Sequence, residues 1–376
     1  MHLKQLARDA LLKPLSAVSG IVERRHTLPI LSNVLVEQNA GRLSVTATDL
    51  EIQITAQSDV ELPASADGTP QAVTLPARKL QDLLRALPEE SQLSLDAQAS
   101  RVTLRAGKSR FNLQSMPAAD YPRITASQDK QQTVEVPQKQ LRALLGLVAF
   151  AMAQQDIRYY LNGLLLVIDK NMMLTVATDG HRLSYASLAL DRPLDPEQAR
   201  QEVILPRKTV LELSRLLADD DAPATIEILS NQIRFRFGNI ELTSKVIDGK
   251  FPDYNRVIPT GYSKHVTLDR NEILHTLQRA AILSNEKFRG VRLVLAGGSL
   301  KIICTNSDQE EAEEELEVNY AGEALDVGFN INYLLDVLTN LSAPEVQLSF
   351  GDANASALVT MPERGDYKYV VMPMRI

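Results

Sequence analysis

Only one cysteine, Cys304, occurs in 376 residues, so the chain can form no intrachain disulfide and no cysteine-based metal cluster. Cys304 lies in the alternating segment LKIICT, where a buried thiol is expected rather than a nucleophile. The longest apolar runs, such as LLLVI at 164–168, are far shorter than the roughly 20 residues that cross a bilayer. No membrane association is expected. The first residues, MHLKQLARDALLKPL, mix acids and bases and have neither an uninterrupted apolar core nor a small-residue cleavage site, so a cytoplasmic location is expected. Histidine is also scarce, with five copies, none in HExxH spacing. The phosphate-loop, dinucleotide and nucleophile-elbow patterns GxxxxGK[ST], GxGxxG and GxSxG are missing.

What is present is ordinary for a folded chain. Hydrophobic residues make up 44% and charged residues 23%, which excludes wholesale disorder. The length points to two or three domains. A formal charge of −7, taken alone, argues against a protein that coats nucleic acid nonspecifically.

An internal repeat reorganises this picture. SVTATDLEI at 44–52 resembles LTVATDGHRL at 174–183, TLPARKLQDLLRAL resembles ILPRKTVLELSRLL, and DYPR resembles KFPDY. Asp49 and Asp179, Pro76 and Pro206, and Pro122 and Pro252 are each 130 positions apart. A third copy follows: IICTNSDQE at 302–310 takes the place of the ATD segment, and FNINYLLDVLTNL at 329–341 that of the LPRK helix. The chain therefore reads as three modules, residues 1–125, 133–258 and 264–376. Each is expected to open with an amphipathic helix, carrying Leu3, Leu6, Ala7, Ala10 and Leu11 in the first module and Leu141, Leu144, Leu145 and Val148 in the second. Short alternating strands, a second amphipathic helix and further strands follow, which gives an α+β fold with helices on one face of antiparallel sheets.

Basic residues recur on the helices. Arg78, Lys79 and Arg85 in the first module are answered by Arg207, Lys208 and Arg215 in the second, and the opening helices add Lys4, Arg8, Lys139, Arg142, Arg270 and Arg279. A solvated helix face would account for such residues singly, but recurrence at equivalent positions favours a shared anionic partner. The sixth helix, INYLLDVLTNL, has no basic residue. The acidic run DQEEAEEELE at 308–317 is expected to be a solvated loop and strand end rather than a cation site.

TLPIL, QDIRYYLNG, ATDGHRL, FPDYNRV, RAAILSNEKFRGVRL and the terminal YVVMPMRI, in this order, resemble the beta subunits of bacterial DNA polymerase III, the replicative sliding clamps. The resemblance covers essentially the whole chain. It implies three like clamp-type domains per chain, antiparallel sheets outside and helices lining a ring, closed head to tail as a homodimer around duplex DNA. Such a ring can be acidic overall while its lining is basic, because screening over about 8 to 10 Å lets the local surface dominate. It also implies a hydrophobic pocket for short peptide motifs of the polymerase III catalytic subunit, the clamp loader, and other polymerases and repair proteins. Positions matching that pocket are Leu161, Thr178, Gly180, His181, Arg182, Leu183, Pro252, Arg256, Val257, Asn330, Tyr333, Val346, Val370, Met372, Pro373, Met374 and Arg375. Arg25, Gln155, Tyr159 and Tyr160 match DNA-contacting loops, and Ile282 and Leu283 an apolar patch for ring closure. No catalytic residue, cofactor or metal is implied. Two readings stand beside this one: a binding scaffold that never encircles DNA, and a metal-dependent hydrolase using Asp179 and His181.

Overall fold

In the computed structural model, all residues are described except 24–26, 62–70, 99, 126, 128, 193–199 and 363. One element order occurs three times among them: a strand, a helix, four strands, a second helix and three strands. The first copy comprises β1 (His2–Ala7), α1 (Arg8–Val18), β2 (Asn33–Asn39), β3 (Arg42–Thr48), β4 (Ile52–Glu61), β5 (Gln71–Pro76), α2 (Ala77–Ala86), β6 (Gln92–Gln98), β7 (Arg101–Ala106) and β8 (Ser109–Gln114). The second comprises β9 (Lys130–Pro137), α3 (Gln138–Gly146), β10 (Gly163–Asp169), β11 (Met172–Thr178), β12 (Arg182–Ala189), β13 (Gln201–Pro206), α4 (Arg207–Leu216), β14 (Pro223–Leu229), β15 (Gln232–Phe237) and β16 (Ile240–Lys245). The third comprises β17 (Lys264–Asp269), α5 (Arg270–Ala280), β18 (Gly290–Ala296), β19 (Ser299–Thr305), β20 (Glu311–Glu317), β21 (Leu325–Asn330), α6 (Ile331–Asn340), β22 (Glu345–Phe350), β23 (Ala357–Met361) and β24 (Arg364–Val371). No described helix is long and apolar enough to cross a membrane.

Within each copy the strands make two four-stranded antiparallel groups, in the orders β1-β6-β7-β8 and β5-β2-β3-β4 for the first. Groups of successive copies then merge. Edge strand β4 pairs with β16, and β12 pairs with β24, giving two eight-stranded sheets. Two groups stay four-stranded: β1-β6-β7-β8 and β20-β19-β18-β21. The chain consequently divides into two compact units, Met1–Leu141 with Leu211–Val246, and Arg142–Val210 with Ile247–Ile376. The boundary runs through the second copy, because its two sheet groups join different neighbours.

Local chemistry explains the elements. Proline precedes α2, α3 and α4, fixing φ at the point where the strand ends. Asp269 caps α5 by accepting the Glu272 N–H at 2.8 Å, and Asn330 caps α6 by accepting that of Asn332 at 2.9 Å. The apolar stripe of α2 buries Leu80 and Leu84, while Arg78, Lys79 and Arg85 stay exposed.

Two expectations are corrected. Leu3, Leu6 and Ala7 lie on strand β1 rather than on the opening helix, so Lys4 is not a helical cation either. Leu3 and Leu6 are both buried because β1 is irregular between them in its pairing with β6, with Gln5 at φ +53, and this turns a strand period into helix-like spacing. The acidic run, for its part, is chiefly strand β20, where exposed Glu311, Glu313, Glu315 and Glu317 alternate with half-buried and buried positions along an edge unpaired among the described strands. Cys304 is buried on β19, and burial pushes its thiol up to about 11.

Candidate functional site

The ATD segment builds a turn between β11 and β12. Asp179 Oδ1 accepts the backbone N–H groups of His181 at 2.9 Å and Arg182 at 3.1 Å, while Oδ2 accepts from Arg182 Nε at 3.0 Å. Thr178 Oγ1 accepts the Gly180 N–H at 3.1 Å and donates to Arg182 O at 2.5 Å. The same turn recurs between β3 and β4, where Asp49 accepts from Glu51 and Ile52 at 3.0 and 2.8 Å and Thr48 donates to Ile52 O. An aspartate doing the same work in two modules is a turn-builder, which removes the basis for a hydrolase at Asp179 and His181. Among the described residues no cluster of three or more His, Cys, Asp or Glu side chains is assembled to hold a metal.

Gly180 and Leu50 both have positive φ, +92 and +77, a conformation that glycine takes without strain and that Leu50 takes at a cost. A Cβ at position 180 would also lie 2.9 Å from the guanidinium nitrogens of Arg158, but these are the movable end of a flexible side chain, so the backbone conformation is what favours glycine there. Arg158 reaches there to donate to Asp179 O at 3.1 Å, and it is oriented by Asp156, with Nη2 to Oδ2 at 2.8 Å. That hydrogen bond holds the Asp156 carboxyl down to about 2.

Beneath this turn lies an apolar cavity of about 210 Å³ lined by Arg158, Tyr160, Leu161, Thr178, Gly180, His181, Arg182, Leu183, Pro252, Val257, Val370 and Met372. Leu161, Leu183 and Val370 form its buried floor, with Val257 and Met372 exposed at the rim. Pairing of β12 with β24 sets Leu183 opposite Val370 and Arg182 opposite Val371. Chain separations of nearly 190 residues thus close onto one surface. The tail leaves the sheet after Val371 and is held by two backbone bonds, Met372 N–H to His181 O at 2.9 Å and Met374 N–H to Gly328 O at 2.8 Å.

Arg182 ties the turn to α6. Its side chain, 9% exposed, donates to Asp336 Oδ2 at 2.6 Å and to Phe150 O at 2.9 Å, and its guanidinium carbon lies 4.5 Å from the Tyr333 ring centre. Burial alone would lower its pKa, but Tyr369, Asp336 and Asp179 hold it above the usual value, so it remains a cation.

Ten of the expected pocket positions therefore line one cavity. Tyr333 stands behind Arg182, and Asn330 caps α6. Pro373, Met374 and Arg375 belong to the tail beyond the cavity lining, and Arg256 is an exposed cation paired with Asp253 at 3.1 Å. Val346 departs from expectation: it is wholly buried on β22 opposite Leu268 and does not line the cavity. Arg158, Phe150 and Asp336 were missed. QDIRYYLNG carried Arg158 in plain view, whereas nothing local links Asp336 to Arg182 across 154 positions.

The expected DNA-facing residues differ in freedom. Arg78, Lys79 and Arg85 are exposed, Arg78 with a long 3.4 Å bond to Val22 O. Arg207 donates to Met152 O at 3.3 Å and is half-buried, with burial and then Arg182 lowering its pKa, and Lys208 is likewise half-buried. Arg215 is held by Glu212 and Ala17 O, both at 2.7 Å. Lys139 and Arg142 are exposed, but Arg8, Arg270 and Arg279 bond to their own unit: Arg8 to Leu87 O, Arg270 to Ala343 O, and Arg279 to Glu314. Tyr159 is exposed and edge-on to Tyr160, which lines the cavity; Gln155 is exposed with φ +56. Arg25 lies outside the described residues. Ile282 is 79% exposed and Leu283 half-buried, so Ile282 is not an interior helix position, and Phe288 is exposed a little further on.

A thrice-repeated α+β motif with merged antiparallel sheets, an apolar cavity at a sheet end and an aspartate committed to a turn is the architecture of the sliding-clamp class. Family models for the DNA polymerase III beta subunit match along the chain: the N-terminal domain at residues 1–125, the central domain at 135–253 and the C-terminal domain at 255–375. The chain is 46% identical over 371 residues to the beta sliding clamp of Pseudomonas putida, covering 99% of each, and 43% identical to that of Escherichia coli K12, covering 98% of each. A crystal structure of the DNA polymerase sliding clamp from Pseudomonas aeruginosa with ligand superposes with a TM-score of 0.94 at 45% identity over all of both chains. Another from the same organism, bound to griselimycin, superposes with a TM-score of 0.93. The chain belongs to the DNA polymerase III beta subunit family, and its function is that of a sliding clamp, which is not itself an enzyme.

Proposed function

We propose that two copies of this chain close head to tail into a ring around duplex DNA, and that the cavity beneath the ATD turn receives short apolar peptide motifs from its partners. The modules 1–125, 133–258 and 264–376 are the domains of this assembly, and its place is the cytoplasm. Strand pairing carries the ring. Edge strands equivalent to β20 find a partner in the next module, as β4 does in β16 and β12 in β24, while β20 itself and β8, the equivalent of β16 and β24, have none among the described strands. Repeating the same junction between copies joins β20 of one to β8 of the other. Charge supports it: β20 exposes Glu311, Glu313, Glu315 and Glu317, while β8 exposes Arg110, the turn before it Lys108 and the neighbouring β7 Arg105. Ile282 and Leu283 supply apolar contact at that closure.

Arg78, Lys79 and Arg85, with Lys208, Arg207, Arg215 and the loop residues Gln155, Tyr159 and Tyr160, face the duplex. Binding there is independent of base sequence, because phosphate contacts carry none. The cavity has the chemistry for a leucine or phenylalanine side chain: an apolar floor, an adaptable methionine at its rim, and polar groups of His181 and Arg158 beside it. Peptides of the polymerase III catalytic subunit, the clamp loader, other polymerases and repair proteins are its ligands; the griselimycin complex of the Pseudomonas aeruginosa relative supports a peptide-sized occupant.

The test removes Met372–Ile376. Since β24 ends at Val371, the truncated chain keeps every strand. It should melt and sediment like the intact protein while its affinity for a labelled Leu-Phe peptide falls about fourfold to tenfold, from losing half the roughly 1.5 to 3 kcal/mol for burying one such side chain. Affinity within about twofold of the intact protein would take the tail out of the pocket.

A further inference from the structure

We infer that Gly328 and Gly290 form a seat for the C-terminal Ile376, and that this seat positions the tail so that Met372 stands at the rim of the cavity. The inference rests on the cavity being the peptide pocket. Register places Gly290 opposite Asn330 and Gly328 opposite Arg292, so the two glycines are diagonal neighbours and leave one bare patch on a single face of the β18–β21 pair. The tail lies on that patch. A Cβ at Gly328 would fall 2.5 Å from Ile376 Cδ1 and 2.6 Å from Met374 O, and one at Gly290 3.2 Å from Ile376 Cδ1.

Neither glycine has the positive φ that would require glycine for its backbone, so the missing side chain is what matters. β21 is the outer strand of its sheet, which leaves Gly328 O free to accept Met374 N–H at 2.8 Å. Pro373 has no N–H to offer, so the tail spans from His181 O to Gly328 O on two backbone bonds alone. Ile376 remains 64% exposed, and its contact therefore sets position more than it buries surface. Gly328 and Gly290 touch no bound peptide in this reading; they act through the tail.

The two glycines make different predictions. At Gly290 only the end of a flexible side chain intrudes, so Gly290→Ala should weaken binding about twofold to threefold, and adding Ile376→Ala should restore it. At Gly328 the clash includes the backbone oxygen of Met374, so Gly328→Ala should weaken binding about tenfold with no rescue by Ile376→Ala. The full-length protein and its variants would be titrated calorimetrically with griselimycin, and hydrogen exchange of the segment Met372–Ile376 would be followed by mass spectrometry without ligand. Faster tail exchange in Gly328→Ala together with the graded affinities supports the seat. Unchanged tail exchange in both glycine variants overturns it whatever happens to binding. Should Gly328→Ala fail to fold, the Gly290→Ala pair decides: no loss, or loss without rescue, overturns the inference. If the parent protein does not bind griselimycin, the pocket reading fails for that ligand, while the exchange comparison still decides the seat.

Discussion

Replacing Arg182 by alanine should be among the most damaging single changes in the second unit. Its guanidinium holds Asp179, which is 17% exposed, Phe150 O, and Asp336, which is 45% exposed. Water replaces the guanidinium at Asp336, so that pair contributes at most about 1 kcal/mol. Asp179 is different: it keeps its two backbone bonds but loses its counter-ion in a half-dry site, and the Phe150 carbonyl loses the bond Arg182 gives it. Breaking a buried pair from one side costs about 3 to 5 kcal/mol, and partial exposure of Asp179 places this case at about 3. That is about two decades in the unfolding equilibrium. Urea unfolding read by hydrogen exchange within Arg142–Val210 would isolate the affected unit, where a whole-chain signal would mix two. Arg182→Lys should fall between, since a lysine cannot fork between Asp179, Asp336 and Phe150 O. A loss below about 1 kcal/mol for Arg182→Ala would refute the assignment of Arg182 as the tie between the turn and α6.

Changing Arg78, Lys79 and Arg85 together to alanine should flatten the log-log salt dependence of DNA association by up to about 2.7, at about 0.9 per phosphate neutralised; an unchanged slope would make them a solvated helix face. Ile282→Asp should leave melting within about 0.5 kcal/mol, as an exposed position allows, yet shift sedimentation from dimer toward folded monomer, and a persistent dimer would exclude Ile282 from the closure. Cys304 should resist thiol reagents at pH 8 until the chain unfolds. Because burial raises its thiol from 9.0 to about 11, its contribution is complete below the unfolded value and is lost as pH rises through the folded one, so rapid labelling of native protein at pH 8 would contradict its enclosure.

The repeat was legible because modules 130 residues apart keep the same turn and proline positions, and the element order follows from periodicity within each. Helix faces such as that of Leu80 and Leu84 were readable for the same reason. Strand β1 was not, since its irregular pairing counterfeits the spacing of a helix. Nor was the merging of sheets through β4 with β16 and β12 with β24, which depends on contacts that no local pattern records. Within the site, Asp179, His181 and Arg182 stood out as chemistry, and Asp179 turned out to build the turn that carries His181 and leads into Arg182. Arg158 was in view, but its bond to the turn at Asp179 O is a relation that only the folded chain reveals.

Encirclement is tested most directly by topology. Protein assembled with a clamp loader and ATP on a nicked DNA circle, then freed of loader by gel filtration, should remain with the circle and be released when one restriction cut makes the DNA linear. High salt should spare the topologically held fraction on the circle while removing phosphate-bound protein from linear DNA. Equal retention on circular and linear DNA would contradict a closed ring and leave the chain a scaffold that binds DNA from one side.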